Sequence, residues 1–379
     1  MRKILIVTER RADYSRFKPI IDEIKKDPEL DYYLVATGIH LLEEYGKSVD
    51  LIKRDKIKVS KVIPMFRRGA PDTGAEMVRA TGHFMVEIAT VLEKVKPDIV
   101  LSGFDIGANF ATAVVAAHMN IPTGHVQGGE VSGSIDESLR HATTKFAHFH
   151  FPATKEAAQR IVRLGENPKY VFPVGCPSLD ALISAREIAP EALKKECGID
   201  VREKFILIIQ HTVTTEINDV PEHIRATLDA VKDAGIPALL LYPNNDAGAG
   251  AILTAIRGTN IHHVRTLSYG VFANVLKRAT MLLGNSSTGI HETATFKIPT
   301  VNIGDRQKGR MRPKNVIDVP NNALAIKKAI HTVLYDKAFA RRVRTCTNPY
   351  GDGKTAARIV KILKEIPLTK ELIKKNFVE

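Results

Sequence analysis

Hydrophobic and polar positions follow two rhythms along the chain. Short runs rich in β-branched residues alternate with longer stretches in which apolar residues recur every three or four positions, the pattern of strands and helices in an α/β protein with parallel sheets. Two such series are visible. The first predicts strands over residues 3–7, 32–36, 99–101, 123–126, 148–151 and 171–174, with helices over 15–26, 75–94, 107–118 and 155–164. The second predicts strands over 205–209, 238–241, 262–264, 281–283 and 300–303, with helices over 221–234, 269–278 and 289–296. The charged, helix-prone residues 180–200 read as the connection between them. The expected division is an N-terminal domain over 1–185, a C-terminal domain over 186–355, and a helical segment over 356–379 packing back on the first. Two consecutive parallel α/β domains place the carboxyl ends of their strands around a common cleft, and ligands bind there.

With 379 residues, 44% of them hydrophobic, the chain is long enough for two cores and is neither a disordered polymer nor a small disulfide scaffold. The longest apolar stretches, 110–117 and 205–209, fall far short of the roughly 20 residues that span a bilayer, so no membrane partner is expected. The first residues enter a strand at once without a signal-peptide pattern, and a cytoplasmic protein is the expectation. Cys176, Cys197 and Cys346 are widely separated and odd in number, which argues against a disulfide framework and a zinc site. The net charge of +13 is unevenly placed: residues 297–379 carry 19 basic against 7 acidic side chains, and the rest of the chain 36 against 35. Aromatics are only 6% and tryptophan is absent, so solvated helix faces over 323–379 or an anionic small ligand account for the excess better than nucleic acid.

Candidate chemistry sits where strands run out. Gly284-Asn285-Ser286-Ser287-Thr288-Gly289 follows one strand and opens a helix; Ser286, Ser287 and the free N–H groups of the helix start suit phosphate. An ordinary Asn/Ser cap is the alternative. Glu292 has the wrong charge for phosphate and suits a ribose hydroxyl. Arg306 and Arg310, after the strand 300–303, are candidates for diphosphate neutralisation, with surface charge an equal alternative for Arg310. His211, ending the strand 205–209, can donate a hydrogen bond to a phosphate or carry a proton.

In the first series, Arg11 and Ser15 lie in the turn after the first strand, another anion site, with Asp13 or Ser15 equally able to be an N-cap. Asp105 follows the strand 99–101. Gln127 and Glu130 follow 123–126, and Asp136 and Arg140 open the next helix. Carboxylates converging on one crevice lip support general acid/base work, because burial and mutual repulsion push their pKa values apart. His141, His148 and His150 are close in sequence but lack an obvious third ligand, and structural histidines are the better reading. No G-x-G-x-x-G, Walker or H-E-x-x-H pattern occurs, and no metal or cofactor is expected.

At Arg11–Ser15, Gly128–Gly133, 135–141, Gly175–Ser178, 210–215, 284–292 and 302–310 the sequence resembles the UDP-N-acetylglucosamine 2-epimerase family, and more narrowly its hydrolysing branch, which supplies N-acetylmannosamine for sialic acid synthesis. The likeness covers almost the whole chain. It implies a glycosyltransferase type-B fold of two Rossmann-like domains, a UDP-sugar substrate and commonly a homo-oligomer, a dimer or tetramer. It also implies anti-elimination of UDP to a 2-acetamidoglucal followed by addition of water. By the same resemblance, Arg11, Ser286, Ser287, Glu292 and Arg306 match nucleotide-binding positions, Asp105, Asp136 and Arg140 match active-site positions, and His211 matches a histidine near the diphosphate.

Three departures stand out. The family usually has Gly-Asp-Arg where this chain has Phe104-Asp105-Ile106, a Glu where Gln127 stands, and Gly-Thr-Arg where it has Glu9-Arg10-Arg11. An amide cannot act as a base, so Glu130 becomes the candidate to take over that proton transfer. The alternatives to a hydrolysing epimerase are a nucleotide-sugar-binding protein with altered chemistry and a glycosyltransferase of the same fold.

Overall fold

A computed structural model describes residues 1–67 and 69–379. Two six-stranded sheets, parallel throughout, form its centre. The first holds β1 (Arg2–Thr8), β2 (Leu30–Ala36), β3 (Lys61–Val62), β4 (Ile99–Gly103), β5 (Thr123–Val126) and β6 (Phe149–Phe151), in the order β3-β2-β1-β4-β5-β6. The second holds β7 (Ile206–Ile209), β8 (Ala238–Leu241), β9 (His262–Val264), β10 (Met281–Gly284), β11 (Thr300–Ile303) and β12 (Val316–Val319), in the order β12-β11-β10-β7-β8-β9. Each sheet has its first strand, β1 or β7, near the middle. Winding reverses between β1 and β4 in one sheet and between β7 and β10 in the other, and each reversal opens a crevice beyond the strand ends. The fold is the type-B glycosyltransferase arrangement of two Rossmann-like domains.

The apolar runs of the central strands follow from helices covering both sheet faces. Along β1, Ile4 and Ile6 pack with Phe17, Ile20 and Phe149 on one face, while Leu5 and Val7 pack with Phe84, Ile88 and Val100 on the other. In β7, Leu207 and Ile209 face the core that contains Leu193 and Phe205, and Ile206 and Ile208 face Ile224 and Ile326. The helix Thr355–Glu365 belongs to the first sheet's core: Ile359 and Leu363 lie with Ile4 and Ile6, and Arg2 Nη1 donates to the carbonyls of Leu363 and Ile366 (2.8 and 2.9 Å). No helix of the described residues is long and apolar enough to cross a membrane.

Three expectations need correction. Residues 171–174 make only an isolated bridge, Val171 to His150: Phe172 and Val174 donate to the carbonyls of His150 and Pro152 (2.8 and 3.1 Å), but Pro152 has no N–H to return the next ladder bond. The first helix spans Arg11–Ile24, starting four residues earlier than 15, because the Asp13 carboxylate accepts from the backbone of Glu9 and Arg10 (2.8 and 3.0 Å) and caps an earlier turn. The stretch 289–296 is a single α-turn, Thr288–His291, followed by a 3-10 turn that Lys297 ends at φ 57°. The short strands β3 and β12 and the helix Ala249–Arg257 add to the predicted elements.

Candidate active site

The crevices face each other across a cleft of about 1410 Å³, its open mouth included, lined from both sheets. Asp105, Glu130, Asp136, His211, Arg11, Ser15, Gln127, Arg140, Ser286, Ser287, Glu292 and Arg306 all line it, together with Arg310. Two close backbone approaches shape it. Gly284, at φ 130°, passes the end of β7 so closely that a Cβ would sit 2.2 Å from the Ile209 carbonyl oxygen. Gly133 meets the second domain, its N–H donating to the Arg306 carbonyl (3.1 Å) where a Cβ would strike Asp305.

On the first wall, β4 and β5 end in Phe104 (φ 68°) and Gln127 (φ 57°), two non-glycine residues in the left-handed region. Such strain costs about 1–3 kcal/mol per residue and is held by its surroundings. Here the holding bonds run from Phe104 N–H to the Val126 carbonyl and from Gln127 N–H to that of Phe151, both 2.9 Å. Arg140, fully buried in the helix Ile135–Phe146, donates through Nη2 to Asp105 and through Nη1 to the Glu130 carbonyl (2.9 Å). Burial opposes ionisation of Asp105, but Arg140 and Arg310 outweigh it and hold its carboxyl down at about 2. Asp136 behaves the other way. Burial dominates and lifts its pKa above the usual value despite the Arg306 guanidinium 3.0 Å away, with Asp105 adding repulsion. The surroundings thus favour the anion at Asp105 and disfavour it at its neighbour Asp136.

Glu130 is bonded through both carboxylate oxygens. Its Oε1 accepts from the Gln127 amide (3.1 Å), and its Oε2 lies 2.8 Å from His291 Nε2 and 3.5 Å from Arg310 Nε. Burial would raise its pKa, but His291 and Arg310 hold it well below the usual carboxylate range.

On the second wall, Asn285 grips the backbone of His211 twice, accepting from its N–H (2.7 Å) and donating to its carbonyl (2.8 Å). The Asn244 N–H donates to His211 Nδ1 (3.1 Å), which fixes that nitrogen as an acceptor and leaves the ring proton on Nε2. Burial and the nearby Arg306 push the ring down to about 3, so it is a neutral hydrogen-bond donor rather than a cation. Ser286 Oγ accepts from Thr288 N–H (3.3 Å), and Ser287 precedes the one-turn helix. Glu292 is buried, 3.9 Å from Arg16.

Two of the predicted residues also make bonds within the protein. Arg11 spans the cleft and donates to the carbonyls of Arg265 (2.7 Å) and Tyr242 (3.2 Å), while Ser15 Oγ donates back to the Ala12 carbonyl within its helix (2.8 Å). The sequence reading overlooks Arg16 and His291, which meet Gln127 and Glu130, and Arg10, which pairs with Asp246 across the domains (3.1 Å). Arg16 is hidden by the late helix start: once the helix begins at Arg11, Arg16 follows one turn behind Ala12, whose carbonyl it binds (2.6 Å). Among the described residues, no three His, Cys, Asp or Glu side chains are placed to hold a metal. His148 accepts from Thr123 N–H and His150 bonds Glu166, away from the cleft.

The family model for UDP-N-acetylglucosamine 2-epimerase matches residues 22–364. This chain belongs to that family. Among curated relatives of the family, the UDP-N,N'-diacetylbacillosamine 2-epimerase (hydrolyzing) of Legionella pneumophila is 34% identical over 99% of both chains. The GDP/UDP-N,N'-diacetylbacillosamine 2-epimerase (hydrolyzing) of Campylobacter jejuni is 30% identical over all of this chain and 99% of its own. The UDP-GlcNAc 2-epimerase of Neisseria meningitidis, solved with UDP-GlcNAc bound, superposes with a TM-score of 0.82 at 18% identity, covering 95% of this chain and 99% of that one. At that identity the likeness speaks for the fold alone.

Proposed function

We propose that this 2-epimerase family member is a hydrolysing nucleotide-sugar 2-epimerase that takes a UDP-linked 2-acetamido sugar and water to UDP and the free 2-epimer. The observation that carries this reading is the pair Asp105 and Asp136, neighbouring carboxyls on one cleft lip whose surroundings drive their pKa values in opposite directions. Ionised Asp136 removes the proton at C2; the C–H electron pair becomes the C1=C2 bond, and the C1–O bond breaks with its electrons leaving on UDP. Water then adds to the glycal, its oxygen to C1 and a proton to C2 from the opposite face. Arg306, released from Asp136 as that carboxyl takes up the proton, and the His211 Nε2–H stabilise the leaving diphosphate, with Ser286 and Ser287 as neutral donors and Glu292 on the ribose. Asp105, fixed by Arg140 and Arg310, orients the sugar.

A 2,4-diacetamido sugar is the favoured substrate, because the Legionella and Campylobacter relatives bear that substrate in their names, with UDP-N-acetylglucosamine second. The free product is of the N-acetylmannosamine type, a precursor for sialic acid synthesis, in line with the name of an Escherichia coli relative, polysialic acid biosynthesis protein P7, 27% identical. Incubating the protein with each UDP-sugar in D₂O and following the products by NMR tests the proposal. UDP and a free 2-epimer with one deuteron at C2 are expected. A product still linked to the nucleotide, or turnover only when an acceptor is added, sinks the hydrolysing assignment.

A further inference from the structure

Beneath the sugar-side carboxylates, four buried side chains close a hydrogen-bonded circuit across the domain boundary. Arg16 Nε donates to Gln127 Oε1 (2.7 Å), Gln127 Nε2 donates to Glu130 Oε1 (3.1 Å), His291 Nε2 lies 2.8 Å from Glu130 Oε2, and Arg16 Nη2 lies 3.3 Å from His291 Nδ1. Donor and acceptor counting leaves one solution. An arginine only donates, so His291 Nδ1 must accept and its proton sits on Nε2, pointing at Glu130. Likewise the Gln127 oxygen must face Arg16 and its NH₂ the carboxylate, since the flipped amide would oppose donor to donor and acceptor to acceptor. An amide at 127 satisfies both neighbours at once, which an ionised carboxylate cannot do.

We propose that Gln127 and His291 are a matched pair of positioning residues that hold Glu130 as a fixed anion and thereby tie the nucleotide-side turn to the catalytic loop. The tie is direct on both sides. His291 adjoins Glu292 on the nucleotide side, and the Glu130 backbone carbonyl receives Arg140, which in turn holds Asp105. Gln127 thereby has a role that no proton transfer by its own side chain could supply. The proposal rests on the epimerase reading for its rate measurement and on geometry alone for its stability measurement.

Gln127→Glu is the decisive variant, being the same size. It places a second carboxylate against Glu130, so the pair shares one proton and its upper apparent pKa rises. The other charged or titratable groups facing the pair are Arg16, Arg310, Arg140, His291, Glu292, Cys176, whose thiol burial pushes up to about 11, and Tyr350, whose phenol burial raises above its usual value. While protonated, the introduced carboxyl can still donate to Glu130; once ionised, it cannot. The variant therefore matches the wild-type rate at acid pH and falls roughly 10²-fold below it in kcat as pH climbs through that pKa, with KM little changed. Thermal melting follows the same course: a carboxyl whose folded pKa exceeds its unfolded value loses stability as pH rises between the two. His291→Gln, which retains an N–H for Glu130, should keep most activity, and His291→Leu should not. A Gln127→Glu profile parallel to wild type in both rate and melting temperature overturns the proposal, as does equal behaviour of the two His291 variants. Should the wild type release no UDP from either sugar, the epimerase reading falls while the melting comparison still decides this one.

Discussion

The two domains are built on the same kind of six-stranded parallel sheet, yet the lips they present to the cleft carry opposite chemistry. Beyond β4 and β5 stand Asp105, Glu130 and Asp136, each tied to an arginine or histidine; beyond β7 and β10 stand a neutral histidine, two serines and Asn285. The fold supplies a crevice twice, and in the reaction we propose the loop residues make one lip exchange protons while the other holds an anion. The electrostatics agree with this division. Carboxyls on the first lip are shifted in both directions, whereas His211 on the second is held neutral throughout the physiological range.

The largest effect should come from removing the titratable carboxyl. Asp136→Asn is expected to lower kcat by about 10²–10⁴-fold, while UDP affinity, followed by calorimetry, stays at wild-type level or tightens as Arg306 is freed. Next, Arg140→Met leaves Asp105 buried without its main partner and should cost about 3–5 kcal/mol of stability, read by denaturant unfolding. Arg306→Met, on a partly open pair, should cost less. On the second lip, Ser286→Ala and His211→Phe each remove a donor to the diphosphate and should weaken UDP binding by roughly 1–3 kcal/mol with smaller effects on C2 exchange. If these second-lip variants abolish exchange while binding UDP normally, the division of labour is wrong.

The smallest effect lies outside the cleft. Glu166 is met by His150 (3.1 Å), Lys145 (2.7 Å) and Lys375 (2.5 Å), and although burial works against it these partners hold its carboxyl down at about 2. A carboxyl depressed on folding contributes stability above its unfolded pKa and loses it as pH falls through the folded value. Wild-type protein should therefore lose stability between roughly pH 4.5 and pH 2, and Glu166→Gln should flatten that slope.

Much of this was legible in the sequence because it follows from periodicity and position. Strands buried on both faces announce themselves as apolar runs, and residues at their carboxyl ends fall at the crevice whatever their detailed geometry. What escaped depended on contacts distant in sequence. The 3-10 turn after His291 and the early helix start at Arg11 are set by the capping and packing of the folded chain. The partners of Gln127 and Glu130 come from residues 16 and 291, on separate domains, and no local pattern joins them. The place of Arg11 in the turn marks it as an anion-site candidate, and its reach across to two carbonyls could be seen only with both domains in place.

The division between the lips is tested most directly by measuring kcat and UDP-sugar affinity together from roughly pH 5 to pH 9. The diphosphate of a UDP-sugar is doubly esterified and does not titrate in that range, and His211 stays neutral across it. The account predicts that kcat falls on the acid side with a midpoint above the ordinary aspartate value, as Asp136 takes up a proton before the substrate can supply one, while affinity holds or tightens slightly as Arg306 is freed. A flat kcat with an affinity that falls instead would put the titrating group on the nucleotide lip and contradict it.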